Sequence, residues 1–315
     1  MQKQLSPAEL KEKVGQEVHL EGWVHDVRVL GGISFVLLRN ARGIVQLAAP
    51  KKAVKPELLE LIAGLRQEDV ISCRGEVKES KAARLGVEVV PSSMEVVSKA
   101  ASPLPLDPRG VTPASLDTRL EWRSLELRRP ETAAIFKIEN AIVQGFEEYL
   151  QRSGFIRAFT PSIIGGVSEG GSEVFKIDFY GKDAFLRQDP QLHRQLTIAG
   201  GFDRIYDLGA NWRAELSHTP RHLSEHRTIA PEVAFIKDER DTMRLEEDMI
   251  VRGIERAAKD CADDLALLKQ QPETPKRPFP EVTFNEVYKI MDKLGKPIPK
   301  NQDIDDPSLG RSPRR

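Results

Sequence analysis

The stretch NWRAELSHTPRHLSEH, residues 211–226, sets Arg213 and Arg221 around a short polar segment that holds Glu215, His218 and Pro220. Apolar runs flank it, RIYDL before and EVAFI after, so it reads as an antiparallel hairpin with a long loop. Two guanidiniums on such a frame can grip a phosphate chain from two sides, because guanidinium matches phosphate oxygens in a bidentate way that lysine does not. ATP is a natural guest. Spacing alone is equally compatible with a solvated loop whose arginines pair with Glu215, Glu225 and Glu232. A second cluster lies upstream. VSEGGSEVF puts Glu169 before two glycines, where backbone can approach a small ligand, and FLRQDPQLHRQL puts Gln188, Gln191 and Arg194 behind a strand-like FL. An acid, amides and a base together could read an amino acid's ammonium and carboxylate, although each alone reads as surface polarity.

The elements that must hold these groups fall into two textures. Over residues 17–100, EVHLEGWVHDV, ISFVLLRN, GIVQLAA, VISCRGEV and GVEVVPSSMEVV are short Val/Ile/Leu-rich runs punctuated by turn residues. KPELLELIAGLRQ lies between the third and fourth with helical spacing. Five strands with a helix in that place is the order of an OB barrel, a fold that binds single-stranded nucleic acid or oligosaccharide on one face. SKAASPLPLDPRGVTPASLDTR then reads as a linker. Pro130 opens an amphipathic helix whose face holds Ile135, Ile138, Ile142, Phe146 and Leu150 and which ends at Gly154. FIRAFTPSII follows as a strand interrupted by Pro161. A further helix is expected across 241–268, with Met249, Ile250, Ile254, Ala257, Ala258, Cys261 and Leu265 on its apolar side.

Composition excludes some classes. The chain has 315 residues, room for two domains, with 40% hydrophobic and 30% charged residues. No apolar run approaches the roughly 18 residues of a spanning helix, and the first residues lack a signal-peptide core, so no membrane partner and a cytoplasmic location are expected. Cys73 and Cys261 have no metal-ligand spacing and read as packed thiols. Basic and acidic residues balance at 47 against 48, so net charge is silent about nucleic acid.

EGGSEVF, FLRQDPQLHRQL, GFDRIYDLGANWRAELSHTPRHLSEH and PEVAFI, behind an OB-like domain with GWVHDVR and GIVQL, together resemble an aspartyl-tRNA synthetase of the archaeal type. The likeness runs from about residue 15 to 307. It implies an α+β multidomain chain: an OB-fold anticodon-binding barrel over 1–102, a hinge over 103–130, and over 131–315 a partial class II antiparallel β-sheet domain with flanking helices. Activity would be ATP-dependent activation of L-aspartate and transfer to tRNA(Asp), and to tRNA(Asn) if non-discriminating. Arg213 would bind the α-phosphate of ATP as the catalytic residue, with Ala214, Glu215, Arg221, His222 and Leu223 around the nucleotide. Glu169, Gln188, Gln191, Leu192, His193, Arg194 and Arg213 would hold the amino acid. The TPSI segment with Pro161 would build a homodimer interface. On the barrel, Phe35 would stack, Gln46 would read a base edge and Arg28 would contact phosphate or base, whereas periodicity alone favours Phe35 in the core. His25 and Lys81 occupy the places that track with tolerance at the third anticodon base, and both match the relaxed type.

Against the family pattern, Arg194 stands where lysine is usual, Asp189 where serine is usual, and Ala230 where an acid is usual. After NQDIDDPS the sequence gives way to LGRSPRR, so the Mg²⁺-binding acid and the third motif are expected to be missing, with no metal ligands within this chain. That ending predicts no adenylate formation at a useful rate, an ordered barrel and a loosely ordered remainder. Two other readings stay open: a non-catalytic tRNA-binding or dimerising paralogue, and an asparaginyl-tRNA synthetase-like ligase.

Overall fold

Period-two alternation in the first hundred residues becomes a closed barrel. The computed structural model describes residues 4–81, 83, 86–167, 174–214 and 223–299. The chain forms two compact units, Met1–Arg129 and Pro130–Arg315. The first runs α1 (Pro7–Lys11), β1 (Glu17–Val29), β2 (Ile33–Asn40), β3 (Gly43–Pro50), α2 (Pro56–Ala63), β4 (Val70–Glu79), β5 (Val87–Ser98), α3 (Leu116–Glu121) and α4 (Arg123–Glu126). The second runs α5 (Pro130–Arg152), β6 (Ile156–Ala158), β7 (Ile163–Ile164), β8 (Lys176–Phe179), β9 (Lys182–Leu186), α6 (Gln191–Ala199), β10 (Arg204–Trp212), β11 (Glu225–Val233), α7 (Glu239–Asp260), α8 (Ala262–Leu267) and α9 (Phe284–Lys293).

The barrel order is β1-β2-β3-β5-β4, closed by parallel pairing of Leu47 on β3 with Val89 on β5. Val18, Leu20 and Val24 of β1, Val36 and Leu38 of β2 and Ile71, Cys73 and Val77 of β4 alternate inward, and Leu58 and Ile62 of α2 complete the core. β1 serves two neighbours, β4 and then β2. At the changeover stands Gly22, where a Cβ would collide with the Arg39 carbonyl, so only glycine permits the bend. One irregularity matters later. Trp23 pairs with Arg39 and Val24 with Leu38, but Asp26 pairs with Leu37, which leaves His25 as the extra residue of a β-bulge.

Residues 103–129, read from their composition as a linker, carry α3 and α4 and cluster with the barrel. Polar side chains tie them there: Gln67 donates to Asp107 at 3.1 Å and Arg128 pairs with Glu68. Glu126, fully buried, accepts from Arg119 at 2.6 Å.

In the second unit α5 packs on α7, with Leu150, Phe155, Tyr206 and Met249 buried together. Gly145 sets the approach of the helices, since a Cβ there would lie 2.7 Å from the Arg252 carbonyl oxygen. β10 pairs antiparallel with β11 and parallel with β6, while β7, β9 and β8 form a second small sheet. Two expectations about elements need correction. FIRAFTPSII is two strands in different sheets, because Pro161 lies between them without an amide hydrogen to donate to a ladder. The helix expected over 241–268 is divided at Cys261, whose backbone (φ −123°, ψ 30°) leaves the helical region while its thiol packs against α5. Both cysteines are buried and free, and burial raises their thiol pKa values, that of Cys73 to about 12.

Candidate functional site

Two faces gather the residues singled out above, one in each unit. In the second unit, the hairpin of β10 and β11 has a helix-facing side, where Tyr206, Ile229 and Val233 pack under α5 and α7. Cross-strand register puts Asp207 with Ala230, Gly209 with Thr228 and Asn211 with His226 on the other side, and Arg213 continues that row. The Arg213 amide donates to the Ser224 carbonyl at 3.0 Å, so the hairpin persists one pair beyond the strands and fixes where this arginine starts.

A buried network anchors the other end of this face. Arg187 donates through Nε to the Ala210 carbonyl at 2.8 Å and through Nη2 to Asp207 Oδ1 at 3.2 Å, and it also binds Thr160. Its own amide donates to the Ser162 carbonyl at 3.0 Å, and its carbonyl accepts from the Trp212 amide at 2.9 Å. One side chain and its peptide thus join the end of β9, the β6–β7 connection and β10, and leave Gln188 1% exposed immediately beyond. A charge pair this deep needs every lone pair and proton matched, and the backbone and Thr160 contacts supply that matching.

Next along the chain, Asp189 Oδ1 accepts from the amide of Gln191, the first residue of α6, at 2.6 Å. On the first turn Arg194 points inward, 8% exposed. Its Nε donates to Glu232 Oε2 at 3.1 Å and its Nη1 lies 3.3 Å from Asp189 Oδ1. Gln191 and Leu192 are exposed on the same helix, and His193 is half-buried. Arg194, expected from the sequence to hold the amino acid, is thus a guanidinium already met by two carboxylates. From Asp207 to Arg213 is six strand residues, roughly 20 Å at about 3.3 Å each.

Ala214 is partly buried and Leu223 is exposed. Glu169, Glu215, Arg221 and His222 lie outside the described residues. Pro161 is exposed between β6 and β7. Among the described residues, no three His, Cys, Asp or Glu side chains are grouped to hold a metal ion, and Asp189 and Glu232 converge on Arg194 instead. No described helix is long and apolar enough to cross a membrane.

The first unit presents the second face. Phe35, Leu37 and Arg39 alternate outward from β2 while Val36 and Leu38 enter the core, so Phe35 is a surface aromatic. Gln46 of β3 stands opposite Leu37, and Arg28 of β1 opposite Phe35. Asp26, Arg28, Phe35, Leu37 and Gln46 line one recess of about 190 Å³. Arg28 Nε donates to Asp26 Oδ2 at 3.1 Å, and Gln46 Nε2 to Glu88 Oε2 at 3.0 Å. The bulge turns both His25 and Asp26 outward; without it, Asp26 would point into the barrel. Lys81 is exposed in the β4–β5 connection.

Sequence reasoning missed what lies behind His25. Arg39 Nη1 is 3.2 Å from His25 Nδ1, and both terminal nitrogens of Arg39 donate to Glu68, at 2.8 and 2.7 Å. Glu68 is 4% exposed, has a left-handed backbone (φ 70°) and also pairs with Arg128. Both guanidiniums lie over the Trp23 ring, at 5.8 and 5.4 Å from its centroid. Burial first, and then the charge of Arg39, lowers the His25 pKa. The three-residue step between the inward Val24 and Val27 was a legible sign of the bulge; nothing local pointed to Glu68.

Residues 115–310 match the family model described as tRNA synthetases class II (D, K and N), and residues 18–97 match the OB-fold nucleic acid binding domain. The chain is 44% identical over 299 residues to an aspartate--tRNA(Asp) ligase of Thermococcus kodakarensis, covering 95% of this chain and 68% of that protein. It is 42% identical over 293 residues to an aspartate--tRNA(Asp/Asn) ligase of Methanopyrus kandleri, covering 93% and 68%. Among solved structures, an asparaginyl-tRNA synthetase from Pyrococcus horikoshii complexed with asparaginyl-adenylate superposes with a TM-score of 0.88 at 28% identity, over 98% of this chain and 71% of that one.

Proposed function

Because the chain belongs to the class II tRNA synthetases of the D, K and N group, and within it to the aspartate--tRNA ligases, we propose that its two faces divide the work of that reaction between amino-acid activation and anticodon reading. ATP, aspartate and tRNA are the substrates of the family, and Mg²⁺ supplies charge neutralisation at the phosphates when bound. The roles below belong to this chain's own side chains.

At the hairpin, the amino acid lies toward Gln188, Gln191 and Arg194, and the nucleotide toward Arg213; Glu169 for the amino acid, and Glu215, Arg221 and His222 for the nucleotide, are assigned to the same work by the resemblance of their sequence motifs alone. Attack comes from the substrate's own carboxylate on the α-phosphorus and breaks the bond to the β-phosphate, releasing pyrophosphate, so the protein supplies position and charge rather than a base. Arg213 neutralises the phosphate oxygens as the new bond forms, and a hydroxyl of the tRNA end then attacks the carbonyl of the mixed anhydride and releases AMP. A homodimer through the Pro161 segment belongs to the same reading.

At the barrel, Phe35 stacks on an unpaired base, Gln46 takes a base edge and Arg28 takes phosphate, the usual division for an OB face. The observation that carries the proposal is the convergence of Arg28, Phe35 and Gln46 on one recess beside His25. We further propose that the enzyme is of the Asp/Asn kind, on the residue types of His25 and Lys81. Titration of the full chain with anticodon stem-loops tests both. Binding that accepts C and U at the third anticodon position and rejects purines is expected; no stem-loop binding removes the assignment, and strict preference for C removes the Asp/Asn reading.

One observation favours a second reading, activation of asparagine. Arg194 lies between two carboxylates, Asp189 and Glu232, so the local charge disfavours a third carboxylate and suits a neutral amide side chain. Affinity for aspartyl- against asparaginyl-adenylate analogues separates the two.

A further inference from the structure

A guanidinium carries only donors, so the 3.2 Å contact between Arg39 Nη1 and His25 Nδ1 has one chemical meaning: Nδ1 is the acceptor and carries no proton. The ring proton must then sit on Nε2, for which the described residues offer no partner. Arg39 has little freedom to do otherwise. It is 6% exposed, held bidentately by Glu68 and stacked on Trp23, while Arg128 holds Glu68 from the other side. The bulge frees the His25 side chain from the strand's alternation and sets it on the outer face with Asp26. The charged groups that act on it are Arg39, Glu68, Arg109 and Asp26, and Arg109 is itself bound to Asp26 at 3.3 Å.

We propose that Arg39 is the positioning residue of His25, locking it as the Nε2–H tautomer so that it offers a base one donor and no acceptor. Glu68 and Arg128 act through Arg39. This deepens the anticodon reading and rests on it. A lone donor reads an acceptor atom, and cytosine and uracil share one in the same place, the O2 carbonyl; they differ at N3, where cytosine accepts and uracil donates. A histidine free to change tautomer could instead present an acceptor nitrogen, which suits the N3–H of uracil but not the N3 lone pair of cytosine, and would tell the two apart. Tolerance of both pyrimidines then follows from wiring beneath the surface rather than from a loose pocket.

The test has two arms on the full chain. Nitrogen-15 NMR of labelled histidines, with His25 assigned by its loss in His25→Gln, reads the tautomer without any RNA. The Nε2–H form near neutral pH is expected in the unaltered protein, and Arg39→Gln should release a mixture of tautomers. The Nδ1–H form in the unaltered protein, or a tautomer indifferent to Arg39→Gln, overturns the proposal. In the second arm, the ratio of affinities for stem-loops with C or U at the third anticodon position should stay within about threefold in the unaltered protein and move by about tenfold in Arg39→Gln, a shift of one decade in Kd. An unmoved ratio overturns the proposal even if the tautomer behaves. Glu68→Gln, which keeps the shape of that side chain, should move the ratio in the same direction and covers the case in which Arg39→Gln does not fold. Failure of the unaltered chain to bind either stem-loop defeats the anticodon reading instead, and the NMR arm tells the two failures apart.

Discussion

Arg194 on the first turn of α6 donates to Glu232 near the end of β11, across 3.1 Å, and the same guanidinium meets Asp189 at 3.3 Å. One positive charge and two negative ones meet here, and if the amino acid binds at Arg194 as proposed, an aspartate side chain would bring a third negative charge and compete with the protein's own carboxylates. Asp189→Ser keeps an acceptor for the Gln191 amide and removes one competitor. It should tighten an aspartyl-adenylate analogue by about tenfold, about 1.4 kcal/mol, and leave the asparaginyl analogue unchanged. Calorimetric titration of both analogues checks this, and equal effects on the two would show that Asp189 does not act through charge.

Phe35 lies outside the barrel core, so its loss should damage binding and not folding. Phe35→Ala should weaken an anticodon stem-loop by about 1–3 kcal/mol, the usual range for one stacked base. The urea midpoint of the protein should not move. A drop in stability as large as the loss in binding would return Phe35 to a structural role.

Protonation of His25 gives a pH dependence of definite sign. Burial and Arg39 lower its folded pKa below the ordinary 6.5, so the unfolded chain takes up the proton first as pH falls. Stability from this group is full above about 6.5 and is lost as pH drops through the folded pKa. Denaturant midpoints at pH 7.5 and pH 5 should therefore differ more for the unaltered protein than for His25→Gln. Equal pH dependence in the two proteins would refute the linkage.

Gly145 permits the close crossing of α5 and α7, with the Arg252 carbonyl and the Gly253 Cα where a side chain would stand. Gly145→Val should destabilise the second unit by about 1–3 kcal/mol through overpacking. Calorimetry should show a lowered transition, while stem-loop binding by the barrel stays unchanged. A variant as stable as the parent would mean that the helices separate without loss.

Much of this protein is local and was therefore open to reading in the sequence. Alternating Val, Leu and Ile placed all five barrel strands, helical spacing placed α2 and α5, and the RIYDL and EVAFI runs placed the hairpin that carries Arg213. Periodicity works because a strand or helix repeats its environment every two or 3.6 residues, within one element. Register between elements is another matter. Whether His25 is a bulge residue depends on how β1 meets β2, and whether Arg39 is buried depends on Glu68, which arrives from the loop before β4 with a left-handed backbone. Arg194 looked like a free cation for a substrate until α6 was laid against β11 and brought Glu232 to it from 38 residues away. Even the break at Cys261, inside an unbroken apolar stripe, follows from its packing on α5 rather than from any local helix breaker. Residue type and spacing settled which side chains were available for chemistry. Closure of the barrel and pairing of distant carboxylates with guanidiniums decided which of them remain available, because charge in a buried setting is governed by whatever the fold brings within a few ångströms.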